Sequence, residues 1–210
     1  MDTDKVRALV DDTLPGAPAG WPTGWPGEIE AALLDAVFSA RATYGGPATG
    51  VRRVIGRWRE HRGDALNSVS TLDSLPALAA FTDDPEALAE ILGNRQRVPG
   101  NYTTKAEAVA LAARVLASAG VTSASDIGDG RVAWDAVTSV PGLGALTWET
   151  FVLQLGLLGP RALATMSGFV SDAVGSPVSD DDALQVLAAV SETLGVESSA
   201  LLGAVWRHGR

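Results

Sequence analysis

The sequence predicts an all-α fold, and three observations predict it. Apolar residues recur at helical spacing in segment after segment. No stretch keeps the period of two that a half-buried strand requires. Gly, Pro and Ser or Asp punctuate the chain where helices would stop and start. At 210 residues the chain is long enough for one sizeable domain or two small lobes sharing a core. The expected division is an N-terminal arm over 1–26 and one helical domain over 27–210.

The arm reads as a short amphipathic helix carrying Val6, Leu9 and Val10, then a connector, Leu14-Pro15-Gly16-Ala17-Pro18-Ala19-Gly20-Trp21-Pro22, that cannot hold regular structure. Trp21 and Trp25 are expected to pin it to the core. Glu28 to Thr43 is the first long helix, with a stripe of Ile29, Ala32, Leu33, Ala36, Val37 and Ala40, ended by Tyr44-Gly45-Gly46-Pro47. Ala48 to His61 sets Val51, Val54, Ile55 and Trp58 on one side and arginines around the rest. Helices over Leu72 to Ala80 and Pro85 to Leu92 follow, the second with Asp84 as its N-cap. Gly93 stops it and opens the polar loop Asn94 to Tyr102. A helix then runs from Thr104 to Ala119, and 121–130 is loop or a short turn. Beyond the reversal at 140–144, helices are expected over Ala145 to Leu155, Pro160 to Val174, from Ser179 with its three following aspartates to Leu194, and from Ser198 to His208.

Composition narrows the chemistry. No apolar run approaches the ~20 residues of a membrane span, and Met1-Asp2-Thr3-Asp4-Lys5 lacks the layout of a secretory signal, so a cytoplasmic protein is expected. The chain has no cysteine, and His61 and His208 are its two imidazoles, so neither a cofactor nor a structural metal is expected. The net charge is −9, an awkward sum for a nucleic-acid binder, yet its distribution is uneven. Residues 41–62 hold six arginines against Glu60, a local +5, while 115–206 hold two arginines against ten acids, a local −8. Arginines opposite an apolar stripe form either a solvated face or a phosphate-binding one.

The chain is organised around Val140-Pro141-Gly142-Leu143-Gly144-Ala145-Leu146-Thr147-Trp148. Proline and two glycines dictate a sharp reversal between helices, after which the amides of Gly144, Ala145 and Leu146 point outward as a seat for an anion. A plain helix–helix connection is the alternative. The loop Asn94-Arg95-Gln96-Arg97-Val98-Pro99-Gly100-Asn101-Tyr102 is either a DNA-facing element or a surface loop capped by its own amides.

The 140–148 run resembles the helix-hairpin-helix signature of DNA glycosylases of the endonuclease III superfamily: aliphatic, Pro, Gly, aliphatic, Gly, two variable positions, Thr. The resemblance extends to Leu34 to Thr43, similar to an early family helix that ends Ser-Ala-Gln-Ala-Thr, and to Lys105-Ala106-Glu107 with Arg114-Val115-Leu116, similar to the helix one element before the hairpin. The chain also resembles a set of uncharacterised actinobacterial helix-hairpin-helix proteins that share Trp25-Pro26-Gly27, Asn94-Arg95-Gln96 and the Gly-Leu-Gly-x-x-Thr-Trp form. The resemblance implies a two-lobed helical bundle around a cleft that holds double-stranded DNA, intact, damaged or distorted. Val140, Gly142, Gly144, Ala145, Leu146 and Thr147 would form its hairpin contact. Arg41, where the family often has a glutamine wedge, would act with Arg52, Asn94, Arg95, Gln96, Arg97 and Lys105. The carbonyls of Val140 and Gly142 stand where such hairpins often hold a monovalent cation.

The chemistry is where the resemblance breaks. The family's aspartate, 18 to 20 residues beyond the second glycine by that resemblance, falls on Ala162-Leu163-Ala164, and its Schiff-base lysine falls on Leu146. The four cysteines of the endonuclease III iron–sulfur cluster are absent. Glu149, Asp172 and Asp35 are the remaining carboxylate candidates. Three functions therefore stand: a DNA-binding module on a glycosylase scaffold without the standard glycosylase or lyase activity, an active base-excision glycosylase with a relocated carboxylate, and a protein-interaction module.

Overall fold

Local chemistry starts the helices. Asp84 accepts the amide of Ala87 at 3.1 Å, Ser179 that of Asp182 at 3.2 Å, and Thr104 that of Glu107 at 3.1 Å, while the Glu107 carboxylate receives the Thr104 amide in return. In the computed structural model, which describes residues 2–42, 45, 48–63 and 72–209, such starts belong to an all-α chain. Its helices are α1 Thr3–Thr13, α2 Ile29–Phe38, α3 Gly50–Arg62, α4 Leu75–Ala79, α5 Pro85–Leu92, α6 Lys105–Ser118, α7 Arg131–Thr138, α8 Ala145–Gln154, α9 Pro160–Val174, α10 Asp180–Leu194 and α11 Ser198–His208, with single 3-10 turns at Pro18–Gly20 and Ala124–Ile127. Among the described residues the one extended pairing is an isolated antiparallel bridge between Arg97 and Thr104. None of these helices is, by itself, long and apolar enough to cross a membrane.

The chain divides into two compact units, Trp25–Leu155 and the pair of segments Met1–Gly24 and Gly156–Arg210. In the second unit α1, α9, α10 and α11 pack around Val6, Val10, Met166, Val170, Leu187, Val190 and Leu201. In the unit Trp25–Leu155 every residue of α2 is buried, because α3, α6 and α8 all pack against it. α4 and α5 lie on α6. A buried carboxylate ties this unit together: Glu30 accepts Trp58 Nε1 at 2.7 Å and the Ser74 amide at 2.8 Å, and pairs with Arg62 at 3.2 Å.

Two elements are shorter than their apolar spacing predicts. α2 ends at Phe38, not near Thr43, because the chain turns left-handed at Arg41 (φ 50°) and the Lys105 amine takes the carbonyls of Phe38 and Ala40. Thr43 and the predicted breaker residues Tyr44, Gly46 and Pro47 lie outside the described residues. α4 starts at Leu75 because the preceding residues are held extended: Leu72 O accepts the Glu30 amide, and the Ser74 amide goes to the Glu30 carboxylate.

Candidate functional site

The hairpin forms from a few local requirements. Val140 and Leu143 are buried and anchor the turn, whose Leu143 amide donates to Val140 O at 3.0 Å. Pro141, Gly142, Gly144 and Leu146 are exposed. α8 starts after an extended Gly144 with no side-chain cap, and its first internal bond runs from Trp148 N to Gly144 O. The amides of Gly144, Ala145 and Leu146 accordingly have no acceptor among the described residues, and the positive end of α8 faces outward there.

Gly142 joins this turn to the predicted loop. Its φ is 87°, and a Cβ there would lie 2.7 Å from Val98 Cγ1 and 3.3 Å from Asn101 Cβ. The loop is itself well ordered. Asn94 Oδ1 accepts the Gln96 amide at 2.9 Å, Asn101 Oδ1 accepts both the amide and hydroxyl of Thr103, and Val98 N donates to Thr103 O. Its asparagines thus brace the backbone, while Arg97 and Tyr102 project from it: the guanidinium lies 5.8 Å from the ring centroid and Tyr102 is 89% exposed. Arg95, on the same loop, pairs with Glu86 at 2.5 Å, and that carboxylate holds its guanidinium above the usual pKa. Tyr102 belongs to the predicted loop but not to the contact side chains expected of it. An aromatic side chain between polar loop residues gave no periodic signal, and only its exposure singles it out.

A cavity of about 330 Å³ lies in the same unit, lined by Phe38, Arg41, Ala42, Gly50, Val51, Val54, Asn94 and Gln96. Three predicted side chains, Arg41, Asn94 and Gln96, therefore meet although up to 55 positions separate them in sequence. Lys105, expected to contact phosphate, is instead 2% exposed. Its amine donates to Phe38 O at 2.9 Å, Ala40 O at 3.0 Å and Gln96 Oε1 at 3.4 Å, and burial lowers its pKa. It holds the walls of the cavity and does not reach solvent.

The arginines of α3 separate into two kinds. Arg59 pairs with Glu28, Arg62 with Glu30 and Arg53 with Glu60, the last at 3.6 Å. Glu28 and Glu30 arrive from outside the 41–62 window, so the local +5 overstates what α3 presents. Arg41, Arg52 and Arg57 form no ion pair among the described residues, and the Arg57 guanidinium packs over Gly93.

The carboxylate candidates are dispersed. Asp35 is buried and accepts Trp25 Nε1 at 2.9 Å. Glu149 is buried on α8. Asp172, exposed on α9, belongs to the other unit, where it lines a cavity of about 360 Å³ with Thr165, Phe169 and His208. Ala162 is buried and Ala164 exposed. The described lining of the 330 Å³ cavity has Arg41 as its one ionisable side chain. Among the described residues no group of three His, Asp or Glu side chains converges as metal ligands would.

No curated protein and no solved structure matches the chain. Residues 4–210 match the model of a family described as a domain of unknown function (DUF8548).

Proposed function

We propose that this chain, which belongs to the family described as a domain of unknown function (DUF8548), binds double-stranded DNA through the face of Trp25–Leu155 that carries the 140–146 hairpin and the 94–104 loop. The observation that carries this reading is the close approach of Gly142 to Val98 and Asn101. It sets the turn that leads into the unbonded helix-start amides against the loop that carries the exposed Arg97–Tyr102 pair. Amides at a helix start suit a phosphate diester, a guanidinium suits a neighbouring phosphate, and an exposed aromatic suits stacking on a distorted step. Helix-hairpin-helix binding on a glycosylase scaffold agrees with these parts.

The reading is of binding, not hydrolysis. Glycosidic cleavage through an oxocarbenium-like centre calls for a carboxylate beside it, and the cavity wall carries a guanidinium. A net charge of −9 predicts modest affinity that collapses with salt, because the rest of the surface repels the duplex.

Ala145→Pro gives a clean test. Ala145 is the first residue of α8 and follows an extended Gly144, so proline fits the backbone while removing one amide donor. Duplex binding is expected to weaken, and the slope of log K against log salt to fall by about 1 for Arg97→Gln. A well-folded protein that binds no duplex at any salt concentration would reject the proposal and leave this face to a protein partner.

A further inference from the structure

We propose that the cavity bounded by the end of α2, the start of α3 and the turn after α5 is a phosphate-binding pocket. This deepens the DNA-binding reading, and rests on it where the phosphate comes from a DNA backbone. Asn94 and Gln96 both line the cavity, and in each the carbonyl oxygen is already taken by a group that can only donate: the Gln96 backbone amide bonds Asn94 Oδ1, and the Lys105 ammonium bonds Gln96 Oε1. Those partners fix the amide orientations, and the NH2 group of each side chain donates to no acceptor among the described residues, so both can donate to a ligand.

Charge points the same way. Arg41 lines the cavity and makes no ion pair among the described residues. Lys105, one bond behind Gln96, is buried with carbonyl oxygens for partners and no carboxylate among the described residues. The wall also includes Gly50 and Val51 at the positive end of α3. In the described lining Arg41 is the one ionisable side chain, beside the two amide groups of Asn94 and Gln96 and apolar Phe38, Ala42, Val51 and Val54; that set disfavours metal ions and ammonium groups and suits an oxyanion, which a guanidinium and NH2 donors can hold together. The cavity, about 330 Å³, is at the small end of ligand sites (roughly 300–1,000 Å³), which suits a phosphate with its attached sugar. Arg41 adopts a left-handed backbone that a non-glycine residue rarely holds, and such strain is characteristic of positions that aim a functional side chain.

The test uses the full chain and three probes: inorganic phosphate, a deoxynucleoside 5′-monophosphate and a short duplex. NMR follows the side-chain NH2 signals of Asn94 and Gln96 and the Nε–H of Arg41. Saturable shifts with inorganic phosphate are expected, with a dissociation constant on the order of 1 mM or tighter, competed by sulfate but not by chloride at equal ionic strength. Tighter binding of the monophosphate assigns the pocket to free nucleotides; shifts with the duplex alone assign it to backbone phosphate. Arg41→Asn should weaken the response roughly tenfold or more, and asparagine is at ease in this backbone conformation, so the loss cannot be blamed on unfolding. Gln96→Glu, which gives Lys105 an ion-pair partner while facing phosphate with a like charge, should do the same. No saturable shift with any probe, or shifts indifferent to both variants, overturns the pocket. Failure of the pocket with duplex binding retained leaves the DNA reading standing; phosphate binding without duplex binding removes that reading and leaves the pocket.

Discussion

Gly142 lies so close to Val98 that a Cβ on the glycine would come within 2.7 Å of Cγ1. Real Cβ atoms do not approach that closely, so the hairpin turn and the 98–101 turn share one surface only because position 142 carries no side chain. Gly142→Ala should therefore destabilise Trp25–Leu155 by about 2–4 kcal/mol, combining left-handed strain with overpacking, and should weaken duplex binding with it. Gly100→Ala is the control: its φ is 75° but nothing lies within 4 Å of the added methyl group, so about 1–2 kcal/mol of strain is expected alone. Thermal unfolding of the two variants beside the wild type measures the difference.

Lys105 supplies a pH-dependent prediction. Burial lowers its pKa from the usual 10.5, so as pH rises through the folded-state value the native chain gives up this proton before the unfolded chain does. The unfolded state then binds more protons, and this residue's contribution makes the protein more stable with rising pH up to about 10.5. Lys105→Met should lose that slope. It should also be less stable near neutrality by about 2–4 kcal/mol, since the carbonyls of Phe38 and Ala40 lose their donor. Denaturant melts of both proteins across the alkaline range test it, and an unchanged slope in the variant would contradict it.

Arg59 and Arg52 should behave oppositely. Arg59 is mostly buried against Glu28, so Arg59→Gln should cost about 1–2 kcal/mol of stability and leave the salt dependence of duplex binding nearly unchanged. Arg52 forms no ion pair among the described residues; Arg52→Gln should leave stability within about 0.5 kcal/mol and flatten the salt slope of duplex binding. Paired melting and titration curves separate the two roles.

Asp126 accepts the backbone amides and hydroxyls of Thr122 and Ser123, which pull its pKa down to about 2. A carboxylate depressed in the folded state stabilises above its unfolded value of 3.8 and loses that contribution as pH falls toward 2. Asp126→Asn should be less stable than the wild type at pH 5, and the two acid-unfolding curves should converge near pH 2.

The start of α5 at Asp84-Pro85, the starts at Thr104 and Ser179, and the reversal at 140–144 were legible because each depends on partners three or four residues away. Apolar periodicity marked which faces would be buried for the same reason. The exposed amides of the hairpin follow from Pro141, Gly142 and Gly144 with no help from the rest of the chain.

What the amino-acid sequence determined by itself, then, was an all-α chain with its helix starts and one sharp, exposed turn. The tertiary structure alone decided which charges remain for a ligand. Glu28 reaches Arg59 across 31 positions, and Lys105 reaches the Phe38 carbonyl across 67; no local window contains both partners. The physical reason is range: capping and periodicity act along the backbone within a turn or two, whereas desolvation and ion pairing depend on which helices pack together. That packing turned Arg59 and Arg62 toward Glu28 and the buried Glu30, drew Lys105 under Gln96, and gathered Arg41, Asn94 and Gln96 around one cavity.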